Sequence, residues 1–483
     1  MNILFIINNG INESLIIPDI IAYLKAKKHK VDLFITNEER NMFRNISVFN
    51  PQMIILPTPI YDKNWYFDFA KRIKQNFSSS ILFWGASATF YPETVLKNAA
   101  CDFICRGEGE YAIAELADRI EQKKSYKDVR NIGYINNGNI ILNPLRPLVN
   151  NLDELPLPDR SVYYKYPFLR NINMKRFLIS RGCKQLCRHC WNNAISNVYN
   201  NPDDFYRRKS PQRIIEEIIN VKEKYPLTSV HFSDDLFFHP DYQREFFEFI
   251  ELYKQKVNIR FTCNIRPDFI TNEIAKSLRG SNCHAIAISV ESGCPRLRNE
   301  ILGKKINDGQ IITAAKIIHK NNMKLMTFNI MAIHSEQLTD IYKTIEFNNS
   351  IRPEFSRIIT LFPISNSDLY EYTKINNLLE DEPFNKISDI NTELYNATFH
   401  TGDKIVYANI FLLFSFSIKF MIATKFIKIL TRLPLFYVYK LIFILVSNIN
   451  EKRFFGVNFF SGLRYFLHTK GVSKRSENLT SIY

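Results

Sequence analysis

Short apolar runs alternate with amphipathic segments over the first part of the chain. Residues 3–7, 53–56 and 81–84 are apolar runs of strand length, and residues 16–26 carry apolar side chains at helical spacing. Strands that are apolar throughout are typical of parallel sheets buried on both faces, with helices connecting the strands. The pattern therefore predicts an α/β fold that begins with a Rossmann-like, doubly wound parallel sheet over residues 1–125.

A second series of strand and helix units follows. Ser210 and Pro211 form a typical helix start, with a capping hydroxyl and a proline in the first turn. The strands predicted in this part are residues 176–180, 229–232, 259–263, 285–290, 324–330 and 357–361. Six parallel strands alternating with helices predict a partial (β/α)6 TIM-type barrel over residues 171–390, with its active site at the carboxyl ends of the strands.

The segments outside these two units differ in composition. Residues 126–170 are predicted to be a linker, and residues 391–483 a helical C-terminal region that is basic and rich in aromatic side chains. Residues 405–418 are uncharged, but no uncharged stretch reaches the ~18 residues needed to span a bilayer. These helices would either be buried against the barrel or lie on anionic lipid. The sequence favours burial.

Composition and charge narrow the class of protein. At 483 residues the chain is long enough for about three domains. Of the formal charge of +15, residues 401–483 contribute +9, from 12 Lys and Arg against 3 Asp and Glu, so charge does not predict a nucleic-acid partner. The eight cysteines lack the density of a secreted disulfide scaffold, and the start of the chain resembles a buried strand more than a signal peptide. A cytoplasmic protein is expected.

Three cysteines lie close together after the predicted strand at 176–180. Cys183, Cys187 and Cys190 are separated by three and then by two residues. Three thiolates on one loop can hold three irons of a cubane cluster and leave the fourth iron open to a ligand that is not protein. The alternative is a structural zinc site with His189 as fourth ligand, in a non-catalytic zinc or nucleic-acid binding protein. A closed zinc site usually has a second ligand pair at a regular distance, which this sequence lacks.

The cysteine spacing, with the aromatic His189 directly before the last cysteine, resembles the signature of the radical SAM enzymes. The resemblance implies a 4Fe-4S cluster held by Cys183, Cys187 and Cys190, with S-adenosylmethionine (SAM) chelated to the open iron. It implies that one electron cleaves SAM to a 5′-deoxyadenosyl radical, which abstracts a hydrogen atom from the substrate. A one-electron reductant such as flavodoxin or ferredoxin is therefore expected as a partner.

Charged residues stand at the carboxyl ends of the predicted barrel strands. They are Asp234, Asp235, Arg266 and Glu291. Because buried polar groups must be paired, a ligand with an ammonium group and a ribose diol needs carboxylates at fixed positions. The resemblance implies that Asp234 and Asp235 bind the SAM amino group and that Glu291 holds the ribose hydroxyls. Arg266 would face the SAM carboxylate or an anion of the substrate.

The strand ends of the first unit carry a second resemblance. Thr58, then Gly-Ala-Ser at 85–87, then Arg-Gly-Glu-Gly-Glu at 106–110 resemble, in this order, the cobalamin-binding domain that precedes many radical SAM cores. The resemblance implies that Thr58 and Gly85 contribute to a cobalamin site. The loop at 8–13 lacks the histidine that ligates cobalt in mutase-type domains. Cobalamin without a protein imidazole ligand, or a domain that kept its fold and lost the cofactor, both fit this loop.

Together these features identify the chain as a member of the cobalamin-binding-domain radical SAM family. The function implied is a cobalamin-dependent methyltransferase that acts on an unactivated carbon or phosphorus of a small molecule, a lipid or a natural-product precursor. A radical SAM cyclase or oxidoreductase without cobalamin is the alternative within the family. No nucleic-acid partner is expected, and the C-terminal region is the candidate for a peripheral membrane contact.

Overall fold

Two mainly parallel sheets and a group of C-terminal helices form the fold in the computed structural model, which describes residues 1–8, 13–199, 205–378 and 404–455. The strands of the first sheet are β1 (Asn2–Ile7), β2 (Lys30–Ile35), β3 (Met53–Pro57), β4 (Ser80–Trp84), β5 (Phe103–Cys105), β6 (Ile132–Asn136) and β7 (Asn139–Leu142). Their order is β2-β1-β3-β4-β5-β6-β7. The first five strands pair in parallel, and β6 and β7 complete the sheet in antiparallel pairing.

Helices cover both faces of this sheet. They are α1 (Ile17–Ala26), α2 (Met42–Phe49), α3 (Lys63–Asn76), α4 (Ala86–Phe90), α5 (Pro92–Asn98) and α6 (Glu110–Glu121). On β1, Ile3 and Phe5 pack in the core formed with α1 and α6, whereas Leu4 and Ile6 pack in the core formed with α3. Because successive side chains of a strand point to opposite faces, a strand covered on both faces is apolar throughout. This confirms the predicted Rossmann-like sheet.

The second sheet is a curled, fully parallel half-barrel. Its strands are β8 (Met174–Phe177), β11 (Ser229–Phe232), β12 (Arg260–Asn264), β13 (Cys283–Glu291), β14 (Lys324–Met331) and β15 (Phe355–Thr360), in the order β15-β14-β13-β12-β11-β8. The helices of this part are α7 (Ser161–Tyr164), α8 (Pro167–Arg170), α9 (Trp191–Tyr199), α10 (Pro211–Lys224), α11 (Gln243–Leu252), α12 (Asn272–Gly280), α13 (Asp308–Lys320), α14 (Leu338–Ile351) and α15 (Asp368–Ile375). The six strands confirm the predicted partial TIM-type barrel.

The helix start at Ser210 was predicted correctly, whereas some strand boundaries and strand pairings differ from the prediction. The Ser210 hydroxyl accepts a hydrogen bond from the Arg213 amide at 3.2 Å and caps α10, as the sequence indicates. The strand predicted at 176–180 instead ends at Phe177, and the chain then enters a separate two-stranded ribbon, β9 (Ser180–Arg181) with β10 (Arg207–Arg208). The first sheet also continues through β7, into the segment predicted to be a linker.

Three helices form the described part of the C-terminal region: α16 (Lys404–Lys419), α17 (Met421–Leu430) and α18 (Phe436–Phe455). The helix α16 packs on the outside of the barrel, where Ile410 and Phe414 join Ile345 and Ile358 in one apolar core. Among the residues that the structure describes, no helix combines the length and the apolar character needed to cross a bilayer. The predicted boundary at residue 390 lies outside the described residues.

Candidate functional site

The three cysteines lie on a tight loop between β9 and α9. The loop opens at Gly182, whose φ is +82° and whose Cβ position would lie 2.1 Å from the carbonyl oxygen of Phe205, so that only glycine fits there. Backbone hydrogen bonds then fix its path: the amide of Arg188 donates to the Leu302 carbonyl at 3.1 Å, and the amide of Cys190 to the Cys187 carbonyl at 2.9 Å. The sequence thus places three thiols on a loop whose backbone is rigidly held.

The thiols themselves are free of disulfides and are buried or half-buried. Burial raises the pKa of Cys183 to about 11 and that of Cys190 to about 12, and the neighbouring thiols act on each other electrostatically. The amide of Gln185 donates to the Cys183 sulfur, and that of Asn192 to the Cys190 sulfur, both at 3.4 Å. A positive metal centre would offset the cost of ionising these buried thiols, since metal ligation requires the thiolate.

The separation of the thiols favours a cluster over a single zinc ion. Tetrahedral zinc with sulfur ligands places the ligand atoms about 3.8 Å apart. Within the described part of the chain, only His29, Asp118 and Glu121 bring three such ligand atoms within 4.8 Å of one another. The three thiols and the ring of His189 therefore do not converge on one ion. Thiolates that each bind a different iron of a cubane stand further apart than the ligands of one zinc ion.

The ring of His189 is hydrogen-bonded to the backbone of a distant segment. Its Nδ1 lies 3.1 Å from the carbonyl oxygen of Leu302, and burial lowers the pKa of the ring. This hydrogen bond packs the cysteine loop against the end of the π-helical turn at residues 297–301. This contact gives His189 a structural position beside the cysteines.

The carboxylate of Asp234, a predicted SAM contact, is hydrogen-bonded to the backbone of the segment before the cysteine loop. Its carboxylate accepts hydrogen bonds from the amide of Ile179 at 3.0 Å, the amide of Ser180 at 2.7 Å and the Ser180 hydroxyl at 2.6 Å. The side chain is fully enclosed, and burial raises its pKa to about 6. Asp234 therefore holds the segment that leads from β8 into the cysteine loop.

Replacing Asp234 with Ala is expected to destabilise the apo-protein by about 3 kcal/mol, because three buried donors lose their acceptor. Urea unfolding followed by circular dichroism measures this, and reduced iron incorporation should accompany it. Asp241→Ala is the control, since that carboxylate is exposed and its ion-pair contacts are with Lys184 and the His239 ring. Equal unfolding midpoints for the Asp234 and Asp241 variants would contradict this role.

Asp235 points toward the cysteines and remains a candidate SAM contact. One of its carboxylate oxygens accepts a hydrogen bond from the Asn192 side chain at 2.8 Å, and burial raises its pKa. The same Asn192 side chain lies 3.7 Å from the Cys190 sulfur. Asp235, which follows β11, and Asn192, in the first turn of α9, thus lie together beside Cys190.

Glu291 forms a buried ion pair with Lys304, a residue that the sequence did not indicate. The ammonium of Lys304 lies 2.8 Å from Glu291 Oε1, and both side chains are only 8% exposed. Burial by itself would raise the pKa of Glu291, but Lys304 and the His189 ring hold it below its usual range. The ammonium also interacts electrostatically with the Cys183 and Cys187 thiols. The pair places a fixed positive charge beside the cysteines.

Arg266 lies at the same end of the barrel. Its guanidinium donates to both carboxylate oxygens of Asp268, at 2.9 and 3.1 Å, and to the backbone carbonyl of Lys304 at 3.2 Å. These contacts orient Arg266 next to the Glu291–Lys304 pair and use most of its donors. The structure thus brings Asp235, Glu291 and Arg266 to one edge with the cysteine loop, as predicted from the strand ends.

Thr58 and Gly85 are brought together on the first sheet. They follow the adjacent strands β3 and β4, and the Thr58 amide donates to the Trp84 carbonyl at 2.7 Å. The Thr58 hydroxyl donates to the Leu56 carbonyl and the Ser87 hydroxyl to the Pro59 carbonyl, while Gly85 has a φ of +105°. At Thr58, Gly85 and Ser87 this edge presents small side chains and backbone. Residues 9–12 of the loop without histidine lie outside the described residues.

The acidic run at 106–110 serves a different purpose from the ligand edge that its position indicated. Arg181, two residues before Cys183, donates to Glu110 at 2.7 Å and to Glu108 at 3.2 Å. Arg207 on β10 also donates to Glu108, at 2.9 Å. These side chains are largely buried. Charged groups of the first sheet therefore hold the β9–β10 ribbon that carries the cysteine loop.

The helix α9 connects the cysteine loop to the first sheet on its other side. Trp191, directly after Cys190, makes an edge-to-face contact with Phe90, with ring centroids 4.6 Å apart. Ala194 belongs to the apolar core under the first sheet, and the Tyr199 hydroxyl accepts a hydrogen bond from the Glu108 amide at 3.1 Å. The cysteine loop thus lies between the carboxyl ends of both sheets, where a ligand of one sheet would face a ligand of the other.

Comparison with known proteins adds to this geometry. Residues 177–347 match the family model of the radical SAM superfamily. The chain is 26% identical over 339 residues to an uncharacterized methyltransferase of Pyrococcus horikoshii, covering 69% of this chain and 72% of the relative.

Two solved structures share the fold at low sequence identity. The cobalamin-dependent S-adenosylmethionine radical enzyme OxsB, with aqua-cobalamin bound, matches with a TM-score of 0.65 and 15% identity, over 98% of this chain and 81% of its own. The radical S-adenosylmethionine methyltransferase TsrM from Kitasatospora setae matches with a TM-score of 0.64 and 12% identity, over 79% and 77%. Both sheets of the present chain therefore occur together in known enzymes.

Proposed function

Because the chain belongs to the radical SAM superfamily, we propose that it is a cobalamin-dependent radical SAM methyltransferase. Its substrate would be a small molecule, a lipid or a natural-product precursor, methylated at an unactivated carbon or phosphorus. A one-electron reductant such as flavodoxin or ferredoxin would be its redox partner.

One observation carries the proposal: the cysteine loop is held between the carboxyl ends of the two parallel sheets. Ligands of open α/β sheets and of barrels bind at these ends. The ion pairs of Arg181 fix the loop to the first sheet, and the carboxylate of Asp234 fixes it to the barrel. Two ligands bound at the two edges would therefore meet beside the cysteines.

The residues present fit the groups that the family implies. Cys183, Cys187 and Cys190 would hold the 4Fe-4S cluster, and Asp235 and Glu291 would bind the polar groups of SAM. Cobalamin would bind at the edge of Thr58 and Gly85, where the side chains are small and the hydroxyls are hydrogen-bonded to backbone carbonyls. When bound, the cluster and cobalamin would supply the electron that cleaves SAM and the methyl group that is transferred.

The protein's own part is to position these groups and to exclude water. Lys304 keeps Glu291 ionised in a buried place, so that the carboxylate can accept hydrogen bonds from a ligand hydroxyl. Asn192 orients Asp235 at 2.8 Å. Buried acceptors held in this way need no reorganisation when a ligand binds, which increases their contribution to binding.

The test is the cofactor content and the products of protein made without oxygen in cobalamin-supplied cells. About four irons and about one corrinoid per chain are expected, and incubation with SAM and a reductant should yield 5′-deoxyadenosine and S-adenosylhomocysteine. Four irons without corrinoid, and 5′-deoxyadenosine without S-adenosylhomocysteine, would overturn methyl transfer in favour of a radical SAM cyclase or oxidoreductase. Zinc in place of iron would overturn the enzyme proposal as a whole.

A further inference from the structure

The helices α17 and α18 expose an unusual amount of apolar surface. Of the seventeen large apolar side chains that are exposed among the described residues, ten lie between Phe420 and Ile449. The largest apolar patches of soluble proteins are limited in size, and scattered single residues are normal. The concentration of ten such side chains within thirty residues therefore marks a surface that has a partner.

Six of these side chains define what we call the outer face. They are Phe426, Ile429, Leu433, Val438, Leu441 and Leu445, which are 38% to 62% exposed. Within each half of this set the residues are three or four positions apart, so they share one side of a helix or of its end.

The opposite sides of the same helices are buried against the protein. Ile427 of α17 and Tyr439 of α18 are buried in the apolar core that contains α16, and the Tyr439 hydroxyl donates to the Leu430 carbonyl at 2.7 Å. Both helices are thus apolar toward the protein and apolar away from it. An exposed apolar face of this extent is typical of a surface that meets another apolar environment.

Basic residues lie next to the outer face in the sequence. Residues 405–450 contain five Lys or Arg and no Asp or Glu. Lys425, Lys428, Arg432 and Lys440 are exposed. A second copy of this chain would bring the same positive charges together across a twofold axis, which is unfavourable. Anionic lipid headgroups are complementary to such a surface, and the acyl chains beneath them would receive the apolar side chains.

We propose that α17 and α18 dock the protein on the surface of an anionic membrane, with the outer face inserted at the boundary of headgroups and acyl chains. The helices lie in the plane of this boundary, because no described helix has the length and apolar character to span a bilayer. Four basic residues and six apolar ones act together, as peripheral anchoring usually needs two kinds of attraction.

Flotation of the purified full chain with vesicles tests this proposal without SAM or reductant, so its outcome is independent of the proposed enzyme activity. Vesicles containing phosphatidylglycerol should carry the protein to the top of the gradient, and pure phosphatidylcholine vesicles should not. The double variant K425E/K428E should bind the anionic vesicles at least about thirtyfold more weakly. K124E/K127E, which reverses two exposed lysines elsewhere, is the matched control and should bind like the wild type.

A second variant pair separates lipid insertion from charge attraction alone. L441S/L445S should weaken binding about tenfold, whereas V48S, at an exposed residue of α2, should leave it unchanged. Unchanged unfolding midpoints verify that the variants fold. Absence of binding to anionic vesicles overturns the proposal, as does a dimer in light scattering that L441S/L445S dissociates, because the outer face would then belong to a second copy.

Discussion

Replacing any one of Cys183, Cys187 and Cys190 with Ala is expected to abolish SAM cleavage and to remove the brown iron–sulfur absorbance. Each thiol would hold a different iron, and the rigid loop offers no spare thiol in its place. The measurement is iron and sulfide content together with 5′-deoxyadenosine formation, each compared with the wild-type protein under the same anaerobic conditions. Both quantities should fall to the level of a protein-free control.

Cys101→Ala is the matched control for these variants. Cys101 is a half-buried free thiol in the first unit, away from the loop. Its replacement should leave iron content and SAM cleavage unchanged. Full iron content in a variant of Cys183, Cys187 or Cys190 would contradict the assignment of that cysteine, and tightly bound zinc in the wild-type protein would favour the non-catalytic alternative.

Replacing Lys304 with Met is expected to destabilise the apo-protein by about 3 to 5 kcal/mol, because Glu291 would be left as a buried charge without its partner. Equilibrium unfolding in urea, followed by circular dichroism, gives the change in the free energy of unfolding. Lys343→Met is the control: Lys343 is 58% exposed and pairs with Asp340 at the surface, so its loss should cost no more than about 0.5 kcal/mol.

A double variant distinguishes stability from function at this pair. Lys304→Met combined with Glu291→Gln removes both charges, and most of the lost stability should return, since the penalty arises from the unpaired charge. SAM cleavage should remain impaired in the double variant if Glu291 binds the ligand as proposed. A double variant that cleaves SAM at the wild-type rate would remove the pair from the binding site and leave it a structural role.

Residues of both units hold the segment that carries the cysteines in place. Asp234 of the barrel binds the backbone before the loop, and Glu108 and Glu110 of the first unit bind Arg181 within it. Burial raises the pKa of Glu110, and Arg181 opposes this shift. Because the loop is fixed from two directions, a displacement of either sheet would move the cysteines.

Much of the fold followed from local pattern. Apolar runs of strand length predicted β1, β3 and β4 of the first sheet and β11 to β15 of the barrel, and the Ser210–Pro211 start predicted α10. These predictions succeeded because the period of apolar residues and the chemistry of a helix cap depend only on residues a few positions apart. The spacing of the three cysteines was equally local, and so the candidate cluster site could be placed on the sequence.

The partners of charged side chains could not be predicted in this way. The sequence did not indicate that the Asp234 carboxylate accepts hydrogen bonds from the amides of Ile179 and Ser180, more than fifty residues earlier. Lys304 carried no motif, and only packing brings it to Glu291. A residue's position at a strand end fixes which edge of the sheet it lies on. It does not fix which other segment reaches that edge.

The sequence alone determined the order of most strands and helices, the spacing of the cysteine triplet and the basic, apolar character of the C-terminal region. All three depend only on residues that are close together in the chain. The tertiary structure decided which carboxylates hold backbone and which face the cysteines, and which sides of α17 and α18 are buried. These outcomes depend on how distant segments pack together, since a buried charge takes the partner that packing brings within reach.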